Sequence, residues 1–168
     1  MNSPHIRLVP LLMAVALIFG ACEKKKPPAE EILPMDRVAP ASASGSQNVL
    51  HKTFAITNST NFTFEVPPHV ALPHLHGNYK SFLKELGLQS DDDTANVDFL
   101  LLTEDQFHDF SQTGAVEGLF SAPASHDQEV NVSLPATQNL PVKYYLVFRG
   151  SPGGAKKKVV QADFTLDY

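Results

Sequence analysis

The closing stretch of the chain most restricts what it can fold into. Val160, Ala162, Phe164, Leu166 and Tyr168 alternate without a break with Gln161, Asp163, Thr165 and Asp167. Successive side chains of a β-strand point to opposite faces, so a period of two makes one face apolar and the other polar. Such a strand has to lay its apolar face on another flat apolar surface, and the same period recurs upstream. Val142, Tyr144, Leu146 and Phe148 alternate with Lys143, Tyr145, Val147 and Arg149, while Val130, Val132 and Leu134 form a shorter set closed by Pro135. Phe54 and Ile56 precede Asn58-Ser59-Thr60, after which Phe62, Phe64 and Val66 resume the pattern. From residue 48 onward the chain is therefore expected to be mostly β, in one domain of about 120 residues.

Other stretches depart from simple alternation in informative ways. Asn96 to Thr103 is apolar at Val97, Phe99 and Leu100-Leu101-Leu102, which suits a central strand buried on both faces. Thr103 with Gln106 has the form of a capping box, Glu104 and Asp105 stand where a helix dipole favours acids, and Gly114 offers a stop. A short helix is expected near residues 104–113, with Phe107 and Phe110 laid on the sheet. Leu75, Gly77 and Tyr79 favour a strand running through Phe82, although Tyr79, Leu83 and Leu86 also fit a helix face stopped by Gly87. Asp91-Asp92-Asp93 reads as a charged loop. Gly150, Pro152, Gly153 and Gly154 lead into Lys156-Lys157-Lys158, which predicts that the last two strands form a hairpin with a long loop and a basic tip.

The N-terminal segment has a different character. Arg7 is its only formal charge, the twelve residues Leu8–Phe19 are apolar apart from the break at Pro10, and Gly20-Ala21 lead to Cys22, the only cysteine. That order is a signal peptide's, and the apolar run falls short of the ~20 residues a membrane-spanning helix requires. Small residues before the cysteine suit a peptidase pocket, and the thiol can take a thioether-linked diacylglycerol. The stretch Leu17-Ile18-Phe19-Gly20-Ala21-Cys22 resembles the cleavage and lipidation box of bacterial lipoproteins, with Phe19 where leucine is commoner. The resemblance implies removal of residues 1–21, a covalent lipid on Cys22 and a membrane anchor, with no other cofactor. Glu23 in place of aspartate, the retention residue of that family, implies the outer membrane, facing the periplasm. Residues 22–47 read as a tether, with Lys24-Lys25-Lys26-Pro27-Pro28, Pro34, Pro40 and a run of small residues from Ala39 to Ser46. With no cysteine beyond Cys22, no disulfide framework is expected, and the core has to supply stability alone.

Over residues 48–168, the order formed by Leu75 to Tyr79, Val97 to Phe110, Val130 to Pro135, Val142 to Phe148 and Val159 to Tyr168 resembles small exported bacterial β-sandwiches related to the GOLD (Golgi dynamics) domain. In that group a Tyr-Tyr-Leu-Val-Phe strand, here Tyr144 to Phe148, precedes a last strand of the form Lys-x-Val-x-Ala-x-x-x-Leu-x-Tyr, here Lys158 to Tyr168. The resemblance implies an antiparallel β-sandwich, jelly-roll-like, serving as a binding or interaction module. These are sheet and core positions, so no catalytic residue carries over. The coiled coil and membrane span of eukaryotic GOLD cargo receptors have no counterpart here, which argues against a trafficking role.

Signatures of chemistry are few. No His-Glu-x-x-His, P-loop, Gly-x-Ser-x-Gly or dinucleotide fingerprint occurs, so no catalytic residue is expected. Asp91-Asp92-Asp93 lacks the ligand spacing of a calcium loop. His69, His74 and His76 are the one candidate metal cluster. On a strand, His74 and His76 share a face and can present two imidazoles to zinc or copper, with His69 or a loop carboxylate completing a site. The plain alternative is surface histidines beside Pro67, Pro68 and Pro73. Of the thirteen Lys and Arg only Arg7 lies in 1–21, leaving twelve against eighteen acidic residues, a balance of −6 that disfavours nucleic acid. The expected partners are the membrane, through the lipid, and an envelope protein or component. The leading reading is a lipid-anchored interaction module; a metal-binding lipoprotein and a hydrolase with a scattered site follow it.

Overall fold

The computed structural model describes residues 42–85, 88–90, 93–150 and 157–168. The expected leader, Cys22 and the expected tether as far as residue 41 lie outside them, as do Gly87, Asp91, Asp92 and most of the Gly/Pro-rich loop. In chain order the elements are β1 (Ser46–Ile56), β2 (Ser59–Val66), β3 (His74–Glu85), β4 (Leu88–Ser90), a 3-10 turn (Asp93–Ala95), β5 (Val97–Thr103), α1 (Glu104–Thr113), β6 (Phe120–Ser125), β7 (Asp127–Ser133), β8 (Val142–Gly150) and β9 (Lys158–Asp167). The strands form two antiparallel sheets. Sheet A runs β1-β9-β3-β4, with β7 sharing with β4 the far edge of β3, and sheet B runs β2-β8-β5-β6. Every consecutive pair except β3–β4 and β5–β6 changes sheet, so the chain winds back and forth between two layers. This is an antiparallel β-sandwich.

The alternating apolar sets supply the inner faces. Tyr144, Leu146 and Phe148 from sheet B meet Val160, Phe164 and Leu166 from sheet A in one buried cluster. Its centre is aromatic: Phe99 stacks on Phe164 across the layers at 5.3 Å, Phe148 meets Phe164 edge-on at 6.2 Å, and Tyr79 meets Phe148 edge-on at 5.5 Å. Edge-on and offset stacks suit the ring quadrupoles and add to the burial of area. Gly77, on the inner side of β3, permits the strands to approach; a methyl there would run into the Asp163 carbonyl and the Phe164 α-carbon of β9.

A polar seam closes one side of the core. Tyr79 donates its hydroxyl to the carbonyl of Val97 at 2.8 Å, Ser81 to that of Ala95 at 2.7 Å, and the Lys158 ammonium to that of Asn96. Three consecutive carbonyls leading into β5 thus take donors from sheet A, where burial without partners would be costly. Burial pushes the Tyr79 phenol well above its ordinary value, with the Asp98 charge adding, and lowers Lys158, which the Asp98 charge partly opposes.

The helix forms as its caps require. Thr103 Oγ1 accepts from the Gln106 amide, the Gln106 side chain accepts from the Thr103 amide, and Gly114 ends the helix at φ 71°. α1 lies along β8 on the outer face of sheet B. Glu104 faces Lys143 at 3.7 Å, the Phe107 and Tyr145 rings stack at 4.0 Å, and Arg149 binds Asp98 at 2.9 Å and the Gly114 carbonyl at 3.2 Å. Leu100, Leu102 and Val147 are buried beneath the helix.

Some expectations are corrected. β8 and β9 form no hairpin, because they belong to opposite sheets. Each carries one apolar face, and stacking face to face removes both faces from water, which side-by-side pairing alone does not do. Lys158 is no part of a basic tip: it opens β9 and is 4% exposed. Val142, expected in the core, is 36% exposed at the open end of β8. β1 starts at Ser46, before the expected boundary at 48, and Gly45 exchanges backbone hydrogen bonds with Tyr168.

Candidate functional site

Two surfaces gather the polar and exposed residues singled out by the sequence. The first is the outer face of sheet A. Register places Ser46, Asp167, His74 and Ser133 in one row across β1, β9, β3 and β7. Asn48, Thr165, His76 and Asn131 form the next, and His51, Asp163, Asn78 and Glu129 the one after. The strict alternation of β9 produces this face, since every second residue must point away from the core. No described element covers it.

Within the rows the side chains are already paired. His51 Nδ1 lies 3.0 Å from Asp163 Oδ2, and Asn48 donates to the other Asp163 oxygen at 2.9 Å. His76 Nε2 lies 3.1 Å from Asp167 Oδ2, and the His74 and His76 rings stack at 6.0 Å. Asp163 is held below the ordinary carboxylate value, chiefly by the hydrogen bond from His51 and next by that from Asn48. Asp167 is held low chiefly by the Ser46 hydroxyl, with His76 and His74 contributing. The result is an open array of donors and acceptors on a hydrogen-bonded scaffold.

The second surface is one pole of the sandwich, built by the β2–β3 connection (67–73) and the β7–β8 connection (134–141). Backbone bonds join the two: the His69 amide donates to the Gln138 carbonyl at 2.7 Å, that of Thr137 to Val70 at 2.9 Å, and that of Leu134 to Pro73 at 2.8 Å. Thr137 is the hub, accepting from the Val70 amide at 3.0 Å and donating to the Pro67 carbonyl at 2.5 Å. His69 sits at φ 62°, a left-handed conformation uncommon for a residue with a side chain, and its carbonyl accepts from Ala43 at 3.0 Å. A shallow groove of about 410 Å³ runs between Ser42, His69, Val70 and Thr137. Leu72 and Leu140 project from the pole, 86% and 75% exposed.

The three candidate histidines thus divide. His74 and His76 are neighbours on the sheet face, as their spacing requires, and acquire Asp167 from the distant C-terminal strand. His69 serves the loop pole. Among the described residues no group of three or more His, Cys, Asp and Glu side chains is arranged to hold a metal ion. Sequence reasoning missed the His51–Asp163 pair, whose partners lie far apart in the chain, and the loop pole, whose only local signals were the prolines and two unsupported leucines. Every buried side-chain nitrogen or oxygen among the described residues has a hydrogen-bond partner. No described helix is long and apolar enough to cross a membrane. No protein-family model matches the chain, and no curated protein matches it significantly in sequence.

Proposed function

We propose that this chain is a bacterial envelope lipoprotein, anchored through a diacylglycerol on Cys22, whose GOLD-like β-sandwich is a non-enzymatic interaction module. Glu23, rather than aspartate, after the lipidated residue favours the outer membrane, facing the periplasm. The observation that supports the module reading is the uncovered outer face of sheet A, where rows of Ser, Thr, Asn, Asp and His cross four strands on a hydrogen-bonded support. An open array of this kind suits a polar, hydrogen-bonding envelope component better than a small apolar molecule, which favours an enclosed apolar pocket.

The test uses intact envelopes. A photo-crosslinker at Asn78, in the middle of the face, is expected to trap a defined partner that the same crosslinker at Gln112, on the helix, does not. Identical products from both positions would remove the face from consideration. Cys22→Ser is expected to abolish membrane attachment and acyl mass together; unchanged membrane association with no acyl mass on the wild-type chain would defeat the anchor. The competing reading, a metal bound by His69, His74 and His76, draws on the His74–His76 stack beside Asp167 and is opposed by the placement of His69 in the other surface. Zinc or copper titration of the protein decides between them.

A further inference from the structure

We infer that the loop pole carrying Leu72 and Leu140 is a docking surface for the lipid bilayer, which seats the domain on the membrane with this end down. The inference rests on the lipid-anchored reading for the location of the bilayer and adds an orientation to it.

Three observations combine. Leu72 and Leu140, one from each of two connected loops, are the most exposed large apolar side chains described. The bonds through Thr137, His69 and Leu134 fix the two loops to one another, so both tips are presented together on a preformed support. Behind the tips, backbone groups of Pro67, His69, Val70, Pro73, Leu134, Thr137 and Gln138 are already hydrogen-bonded, which lowers the cost of bringing the loops to an apolar medium. Second, the two loops carry no formal charge, the adjoining acid being Asp167 in the row of His74 and Ser133. Neither 67–73 nor 134–141 contains Asp, Glu, Lys or Arg, and the entering residues Ser42 to Gly45 add none. The mature chain otherwise carries a net excess of acid, displayed at Asp127, Glu129, Asp163 and Asp167 on sheet A, which anionic headgroups would repel.

Third, the chain enters the domain here. Ser42 lines the groove and Ala43 bonds to His69. Cys22 precedes Ser42 by twenty residues, a distance that no conformation can stretch beyond about 70 Å. A lipid on Cys22 therefore keeps the domain's entry point within that reach of the bilayer, and a weak contact made within a tethered system acts at a high effective concentration. Two loop tips are small for a protein interface of standard size, about 800 Å² on each partner, whereas leucines at an interface need no such area. With the pole seated, the row of Ser46, Asp167, His74 and Ser133 lies nearest the membrane and the row of His51, Asp163, Asn78 and Glu129 farther from it.

The absence of tryptophan provides a clean probe. Leu72→Trp, Leu140→Trp and, as control, Thr53→Trp on the outer face of sheet A are each made in the full-length gene. The purified proteins are then placed on phosphatidylethanolamine/phosphatidylglycerol vesicles containing brominated acyl chains. Quenching several-fold stronger at 72 and 140 than at 53, with a blue-shifted emission, is the expected result. Acyl mass at Cys22 is read separately on the same samples. An acylated, vesicle-bound protein with no extra quenching at 72 and 140 overturns the docking surface and leaves the anchor standing. An unacylated protein that still shows the pattern supports the surface and removes the anchor, and one that shows none overturns both. Shielding of 72 and 140 by protein in native envelopes, with no lipid quenching on vesicles, also overturns the proposal.

Discussion

The outer faces of the two sheets have opposite characters although both cover the same core. On sheet B, Leu100, Leu102 and Val147 point outward and are buried under α1, whose Phe107 ring lies on Tyr145. On sheet A the equivalent positions of β9 are Gln161, Asp163, Thr165 and Asp167, and no described element lies over them. The difference originates in sequence pattern: the second face of β5 carries Leu100 and Leu102 and that of β8 carries Tyr145 and Val147 between Lys143 and Arg149, while β9 alternates strictly. An outward-facing aliphatic residue is worth roughly 1.5–3 kcal/mol when fully buried, enough to justify holding a short helix that would be marginal alone. Where the second face is polar, covering it would gain little, and it stays available for a partner.

Five substitutions break or sharpen this contrast, and denaturant melts read the cost of each. Phe148→Ala and Phe164→Ala remove rings from the inner layer that the sheets share, and each is expected to cost ~3–5 kcal/mol. Losses below about 1 kcal/mol at both would mean that the inward face is misassigned. Next, Leu102→Ala under the helix is expected to cost ~2–4 kcal/mol. Gln161→Ala, its counterpart on the open face, should stay within ~0.5 kcal/mol. Equal effects at these two positions would erase the distinction between the faces. Thr103→Ala, which removes the N-cap, is expected to cost ~1 kcal/mol and to loosen the cover of sheet B alone. Hydrogen exchange should then accelerate in α1 and remain unchanged in β3 and β9.

The smallest effect is a pH dependence confined to sheet A. Asp163 is held below its unfolded-state value, so the stability it contributes is fully present above that value, about 3.9, and is lost as pH falls through the lower folded value. Asp163→Asn should flatten the acid limb of the stability curve there by removing the small contribution that the charged carboxylate makes at neutrality, leaving stability at the acid end little changed. A wild-type acid limb that survives the substitution unchanged would assign the effect to other carboxylates. Because the pair is exposed, the shift in midpoint is expected to be modest.

These contrasts were legible in the sequence to different degrees. The alternations at Val160–Leu166 and Tyr144–Phe148 indicated which side chains face inward, and Thr103 with Gln106 located the helix start, because both signals are local. Partnership was not legible. The glycines and prolines after Arg149 resemble a turn whether the next strand pairs with β8 or crosses to the other layer, and it crosses. β6 escaped notice because Phe120-Ser121-Ala122-Pro123-Ala124-Ser125 has little apolar contrast and a proline; its place at the edge of sheet B is where such a strand is tolerated. His74 and His76 were readable as neighbours from their spacing alone. Asp167 beside His76, and the donors Tyr79, Ser81 and Lys158 aimed at successive carbonyls, depend on register between distant strands, which no local pattern encodes.

The position of β9 has a consequence for the life of the chain before it is folded. The last strand lies between β1 and β3 in sheet A, with Asp167 opposite Ser46 and Lys158 opposite Ile56. Until β9 emerges, β1 has no partner in its sheet and β3 lacks one of its two edges. Non-local pairing of this kind is slow, since loop closure must precede any gain from contact. Sheet A can therefore close only after β9 is available, so β1 stays unpaired through the synthesis of every strand between them.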